Sequence, residues 1–100
     1  MALNVLIDER ALIDLQAAID YYDYKQVGLG EKFESVANKY ITQLSESPYF
    51  QIRYDEVRCL PIKNFPFMIH YSIDEKKQTI IIWAILHTSL NPDKWELRNK

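Results

Sequence analysis

The sequence predicts an α+β fold: an N-terminal strand, then an antiparallel helical hairpin packed on one face of a three- to four-stranded antiparallel sheet, with a short C-terminal tail. Three observations carry this. Apolar residues recur at three- and four-residue steps from Leu12 to Leu44, after Pro48 the period changes to two, and the strands all follow the helices apart from one short apolar segment at the start. One hundred residues suit one hydrophobic core, so residues 1–100 are read as a single domain. A chain that is 48% hydrophobic and 26% charged, with two Gly, has none of the bias of a disordered segment.

Leu3, Val5 and Ile7 alternate as in a strand, and Asp8 follows as a helix N-cap with Glu9 suiting the positive helix end. In the first helix Leu12, Leu15, Ile19 and Tyr22 share a face, whereas Asp14, Asp20 and Asp23 are expected on solvated surface; the helix should end near Lys25. Gly28-Leu29-Gly30 reads as a linker, since it lacks the further glycine of a phosphate-binding loop and follows no strand. Phe33, Val36, Ala37, Tyr40, Ile41 and Leu44 then form a second helical stripe, stopped at Ser47-Pro48.

Beyond Pro48, Gln51 to Tyr54 and Val57 to Ile62 are candidate strands about a turn at Asp55-Glu56. Phe67, Ile69, Tyr71 and Ile73 alternate with Met68, His70 and Ser72, and Asp74 to Gln78 is the polar connection of a hairpin. Ile80 to Leu86 is apolar on both parities, which predicts an interior strand buried on both faces. Asn91-Pro92 opens a tail that could seat Trp95. The expected core is Leu15, Phe33, Tyr40, Ile69, Tyr71 and Ile82, with His70 on the opposite face toward solvent or a partner.

Several function classes are excluded or demoted. The lone Cys59 permits no intramolecular disulfide, and no Cys and His set has zinc-ligand spacing, so no metal site is expected and the compartment is read as reducing. The apolar run Ile80 to Leu86 is far short of the roughly 20 residues of a membrane span, and the start lacks a signal peptide's basic region, so a cytoplasmic protein without membrane contact is expected. No nucleophile elbow is present. The net charge of −2 argues against a surface that attracts nucleic acid everywhere, yet residues 1–50 hold four basic against eight acidic side chains and residues 51–100 hold eight against six. Chemistry on an anion would therefore fall to the second half, where Arg53, Arg58, Lys63, His70, His87 and Lys94 lie among Tyr54, Tyr71, Trp83 and Trp95. Metal-free RNA cleavage needs a base, an acid and cations on the phosphate, and His, Arg and Lys can supply all three. His87 stands out because it ends the apolar strand, where a rigid scaffold can hold a titrating ring. The competing reading is a set of ordinary sheet-surface residues.

Arg58-Cys59-Leu60-Pro61, Phe65-Pro66-Phe67-Met68-Ile69-His70-Tyr71-Ser72-Ile73-Asp74, and Ile80-Ile81-Ile82-Trp83-Ala84-Ile85-Leu86-His87-Thr88-Ser89 with Asn91-Pro92 and Trp95 together resemble the RelE/ParE toxin superfamily, closest to its plasmid-stabilisation, ParE-like branch. Ala11, Asp14, Leu15, Tyr21-Tyr22 and Ser47-Pro48 extend the resemblance to nearly the whole chain. It implies the toxin component of a type II toxin–antitoxin module, inhibiting growth without a cofactor and neutralised by a cognate antitoxin. RelE-like members cut mRNA on the ribosome and ParE-like members poison DNA gyrase, so the resemblance leaves both targets open. By position, Arg58, Lys63 and His87 would be the catalytic residues of a metal-independent mRNA endoribonuclease, and His70, Asn91, Lys94, Trp95 and Arg98 would contact target or partner. Leu90 stands where close relatives carry Arg. The alternative is a non-catalytic, degenerate module that only engages the antitoxin or forms a homodimer.

Overall fold

The computed structural model describes residues 3–49, 52–54 and 56–88, the last of these stretches and the first with their side chains. The elements run β1 (Asn4–Ile7), α1 (Glu9–Lys25), α2 (Leu29–Glu46), β2 (Ile52–Tyr54), β3 (Val57–Pro61), β4 (Phe67–Asp74) and β5 (Thr79–His87). The expected strand, helical hairpin and meander are all present. The sheet has five strands in the order β1-β5-β4-β3-β2. The meander β2 to β5 is antiparallel, but β1 joins beside β5 in parallel, so the sheet is mixed rather than purely antiparallel. The reason is topological: after β1 the hairpin and the meander intervene, and β5 returns along the same direction as β1.

Local chemistry sets the helix ends. The Asp8 carboxylate accepts the Arg10 backbone N–H at 2.9 Å, capping the free donors of the first turn of α1, and Lys25 lies in its last turn, where a cation suits the helix dipole. Gly28 adopts φ 91°, a left-handed conformation that glycine reaches without strain, and this turns the chain from α1 into α2. Gly30 does not belong to the linker. It lies in the first turn of α2, buried against α1, where a Cβ would collide with the Ile19 carbonyl oxygen and the Asp23 side chain. Asp23, expected to be a solvent charge, accepts the Gly30 N–H at 2.8 Å and so caps α2 from the neighbouring helix.

The core lies between the helices and one face of the sheet. Ala11 and Ala18 of α1 and Phe33, Ala37, Ile41 and Leu44 of α2 meet Leu60, Ile69, Tyr71, Ile80, Ile82 and Ile85. Of the expected core, Phe33, Ile69, Tyr71 and Ile82 are fully buried, whereas Leu15 and Tyr40 are only partly covered at its margin. Two polar ties close the layer: the Tyr71 hydroxyl donates to the Pro48 carbonyl at 2.6 Å, and the Leu3 N–H donates to the Ser45 carbonyl at 2.7 Å.

The register of β5 changes part-way along. Tyr71 pairs with Ile82 and His70 with Ala84, which leaves Trp83 as an extra residue, a β-bulge. Before it Ile80 and Ile82 face the helices, opposite Ile73 and Tyr71; after it the odd positions Ile85 and His87 do so, opposite Ile69 and Phe67. Apolar residues on both parities of β5 thus have two causes, burial on both faces and this slip. The indole N–H of Trp83 is held by the Ser72 hydroxyl at 2.8 Å.

On the face away from the helices Val57, Cys59, Met68, His70, Ala84 and Leu86 are buried as well. This corrects the expectation for His70. Its ring is not solvated or open to a partner; it is fully enclosed, paired across the strands with Cys59, whose Sγ lies 3.4 Å from Nδ1.

Candidate functional site

The bulge decides where the last-strand histidine goes. Because the parity of β5 has slipped by one, His87 leaves the strand on the helix side, its ring edge-on to Phe67 with centroids 5.3 Å apart. It borders a cavity of about 230 Å³ between α1 and the end of β5, with Asp14, Ala17, Tyr21 and Ile85 among the other walls.

The opposite wall is fixed by a hydrogen bond that the sequence reading missed. β1 reaches only as far as Ile7 opposite Ile82, and the Asp8 N–H takes the Ile82 carbonyl at 2.8 Å before the chain turns into α1. Beyond that point no strand among the described residues flanks β5 on this side. The Asp14 carboxylate instead accepts the Ile85 N–H at 3.1 Å. A buried backbone donor needs a partner, and here a helix side chain provides it. A signal was present: Asp14 stands three residues after Ala11 and four before Ala18, on the face where small side chains let α1 approach the sheet.

An aromatic group braces this end of the fold. Tyr22 lies 5.2 Å from Phe33 and 5.1 Å from Phe65, and Phe33 lies 5.3 Å from Phe67, in tilted or edge-to-face contacts that hold the β3–β4 turn against both helices. Burial, helped by the neighbouring Tyr21, pushes the Tyr22 phenol above its ordinary range. At the start of α1 the Asp8 hydrogen bond raises the Arg10 guanidinium above its usual value.

The other two catalytic candidates lie elsewhere. Arg58 is opposite Tyr71 in β3, its guanidinium 5.5 Å over the Tyr49 ring, and it lines a different hollow with Glu56, Ile73 and Glu75. Tyr71 in turn pairs with Ile82, five residues before His87. His87 itself lies opposite Phe67, four residues from Tyr71 along β4, which at strand spacing puts Arg58 and His87 about 13 Å apart along the sheet and about 10 Å across it. Lys63, in the turn between β3 and β4, lines a third hollow with Lys39, Tyr40, Gln43 and Asn64. Among the described residues, then, His87, Arg58 and Lys63 occupy three separate cavities. His70 is buried, and Asn91, Lys94, Trp95 and Arg98 lie outside the described residues.

The family profile described as the ParE toxin of the type II toxin–antitoxin system, parDE, matches residues 5–92. The chain belongs to the ParE toxin family. Comparison with curated proteins gives no match. Among solved structures, the chromosomal ParDE toxin–antitoxin system from P. aeruginosa contains a chain that is 18% identical, with a TM-score of 0.78 over 86% of this chain and 96% of that one. A mutant of the E. coli toxin RelE in the free state is 17% identical, with a TM-score of 0.73 over 96% of this chain and 94% of that one. The intact E. coli RelBE toxin–antitoxin complex matches at 17% identity and a TM-score of 0.66, over 84% of this chain and 94% of that one. At such identities the likeness is one of fold. The family match bears out the resemblance to the RelE/ParE toxin superfamily that the sheet motifs carried, and the solved structures show the same fold. No described helix is long and apolar enough to cross a membrane.

Proposed function

We propose that this ParE-family chain is a toxin that arrests growth by binding its target, DNA gyrase, rather than by cutting mRNA, and that a cognate antitoxin neutralises it in the cytoplasm. One observation carries the choice between binding and cleavage. RNA cleavage requires base, acid and phosphate-binding cation at one scissile bond, within about 3 Å of the atoms they serve. Arg58 and His87 are separated by several times that distance, and Lys63 lines yet another hollow.

Support for an antitoxin comes from the outer side of α1. Ile13, Ala17, Tyr21 and Tyr24 follow one another at four- and three-residue steps, and Ile13 and Tyr24 are 63% and 91% exposed. This apolar stripe runs beside the cavity bounded by Asp14 and His87, a surface suited to an amphipathic segment laid along a groove.

The test uses the purified chain in two assays, gyrase supercoiling and ribosome-dependent mRNA cleavage. Inhibited supercoiling with intact mRNA, relieved by the product of the adjacent gene and unchanged in His87→Ala, is the expected result. Cleaved mRNA, with a rate that falls about 10²- to 10⁴-fold in His87→Ala, would overturn the reading. Induction that leaves growth untouched while the antitoxin still binds would instead support the degenerate binding module.

A further inference from the structure

The hollow that Lys63 lines takes no part in the function proposed above. It measures about 230 Å³ and is walled by Lys39, Tyr40 and Gln43 from successive turns of α2 and by Lys63 and Asn64 from the β3–β4 turn, with Val36 beneath. The turn is held in shape. The Ile62 N–H donates to the Phe67 carbonyl at 2.9 Å, the Phe65 N–H to the Ile62 carbonyl at 3.2 Å, and Asn64 sits at φ 74°, a left-handed conformation that asparagine tolerates better than most residues. Two lysines far apart in sequence are therefore brought to one hollow by rigid backbone.

The chemistry of the walls is one-sided. Among the described residues no carboxylate lines the hollow, although the chain as a whole carries −2. Among the described residues neither Lys39 nor Lys63 makes an ion pair, and the side-chain amides of Gln43 and Asn64 and the Tyr40 hydroxyl have no hydrogen-bond partner there. Two lysines that line one hollow give it a positive potential, which favours an anion. We infer that this hollow binds a phosphate group. A carboxylate has one charge and two oxygens; a phosphate, with three or four acceptor oxygens and a charge of up to −2, meets both ammoniums while using the amide and phenol donors as well. The phosphate could belong to a free polyphosphate ligand or to a nucleic-acid strand, and the site chemistry is the same for both.

The full chain is titrated with pyrophosphate and, separately, with a 12-nucleotide single-stranded RNA, following the side-chain amide signals of Gln43 and Asn64 by NMR. Both signals should shift, and Lys39→Gln and Lys63→Gln should each weaken binding at least fivefold, while Lys76→Gln, an exposed lysine in the β4–β5 turn, should leave it unchanged. All three positions are exposed, so each variant should keep the parent Tm, which is checked first. RNA binding that is at least tenfold tighter than pyrophosphate binding and lost in the same two variants assigns the site to a strand; equal or weaker RNA binding assigns it to a free phosphate ligand. Amide signals that do not move, a Lys76→Gln loss equal to the other two, or an acidic peptide that competes as well as pyrophosphate would each overturn the inference.

Discussion

The Asp14 carboxylate accepts the backbone N–H of Ile85 at 3.1 Å, so a side chain of the first helix takes over beside β5 where β1, among the described residues, ends opposite Ile82. Asp14→Ala removes the acceptor and leaves a part-buried donor without a partner, at a cost of about 1–3 kcal/mol. Asp14→Asn keeps a carbonyl oxygen at the same reach and should lose less than half as much. Urea midpoints of the two variants against the parent measure the difference, and equal losses would show that the charge rather than the hydrogen bond matters.

Gly30→Ala opposes two effects. Alanine is the better helix former by about 1 kcal/mol. Its Cβ, however, would meet the Ile19 carbonyl oxygen, a backbone atom of α1 that cannot rotate away. Overpacking of that kind costs about 1–3 kcal/mol and displaces the two helices. The expected outcome is a lower Tm, and an unchanged or higher one would show that the helix pair separates easily.

Ile82→Ala should destabilise by about 2–5 kcal/mol, since the side chain is fully buried between β5 and the helices and its loss leaves a cavity. Leu15→Ala, at the partly covered margin, should cost less than half of that because the site can fill with water. Denaturation midpoints that rank the two in reverse would place the centre of the core nearer α1.

Tyr22 predicts an alkaline limb. Its phenol is raised in the folded state, so the unfolded chain ionises first, at an ordinary value of about 10. The folded form then binds the proton more tightly than the unfolded form. Stability from this group is complete below about pH 10 and declines as pH rises through the folded value. In Tyr22→Phe the decline should be shallower when unfolding is followed from pH 9 to 11; an unchanged slope would remove burial of this phenol as its cause.

The helices were legible because their signals are local. Asp8 and Lys25 bracket α1, Ser47-Pro48 closes α2, and both stripes follow from spacing alone. What escaped depends on pairing. Trp83 is an extra residue only by comparison with β4, and nothing in Ile80 to Leu86 marks it beforehand. His70 was placed on the correct face, but its burial depends on what the rest of the chain does above that face. The separation of Arg58 from His87 is likewise a matter of register: one lies opposite Tyr71 and the other opposite Phe67, which no count along the sequence shows. Gly30 looks like linker in the sequence because its meaning comes from the other helix, where Asp23, exposed as expected, also accepts its N–H.

The bulge at Trp83 divides β5 into two reading frames. Residues before it are in phase with the parallel contact to β1, and residues after it obey the opposite phase. Loss of Trp83 would leave a regular ladder in which Ile85 and His87 still lie opposite Ile69 and Phe67, with Ile80 and Ile82 seated as they are. The strand can therefore absorb a one-residue length change at this point without moving the chemistry presented at its end or the core that holds it.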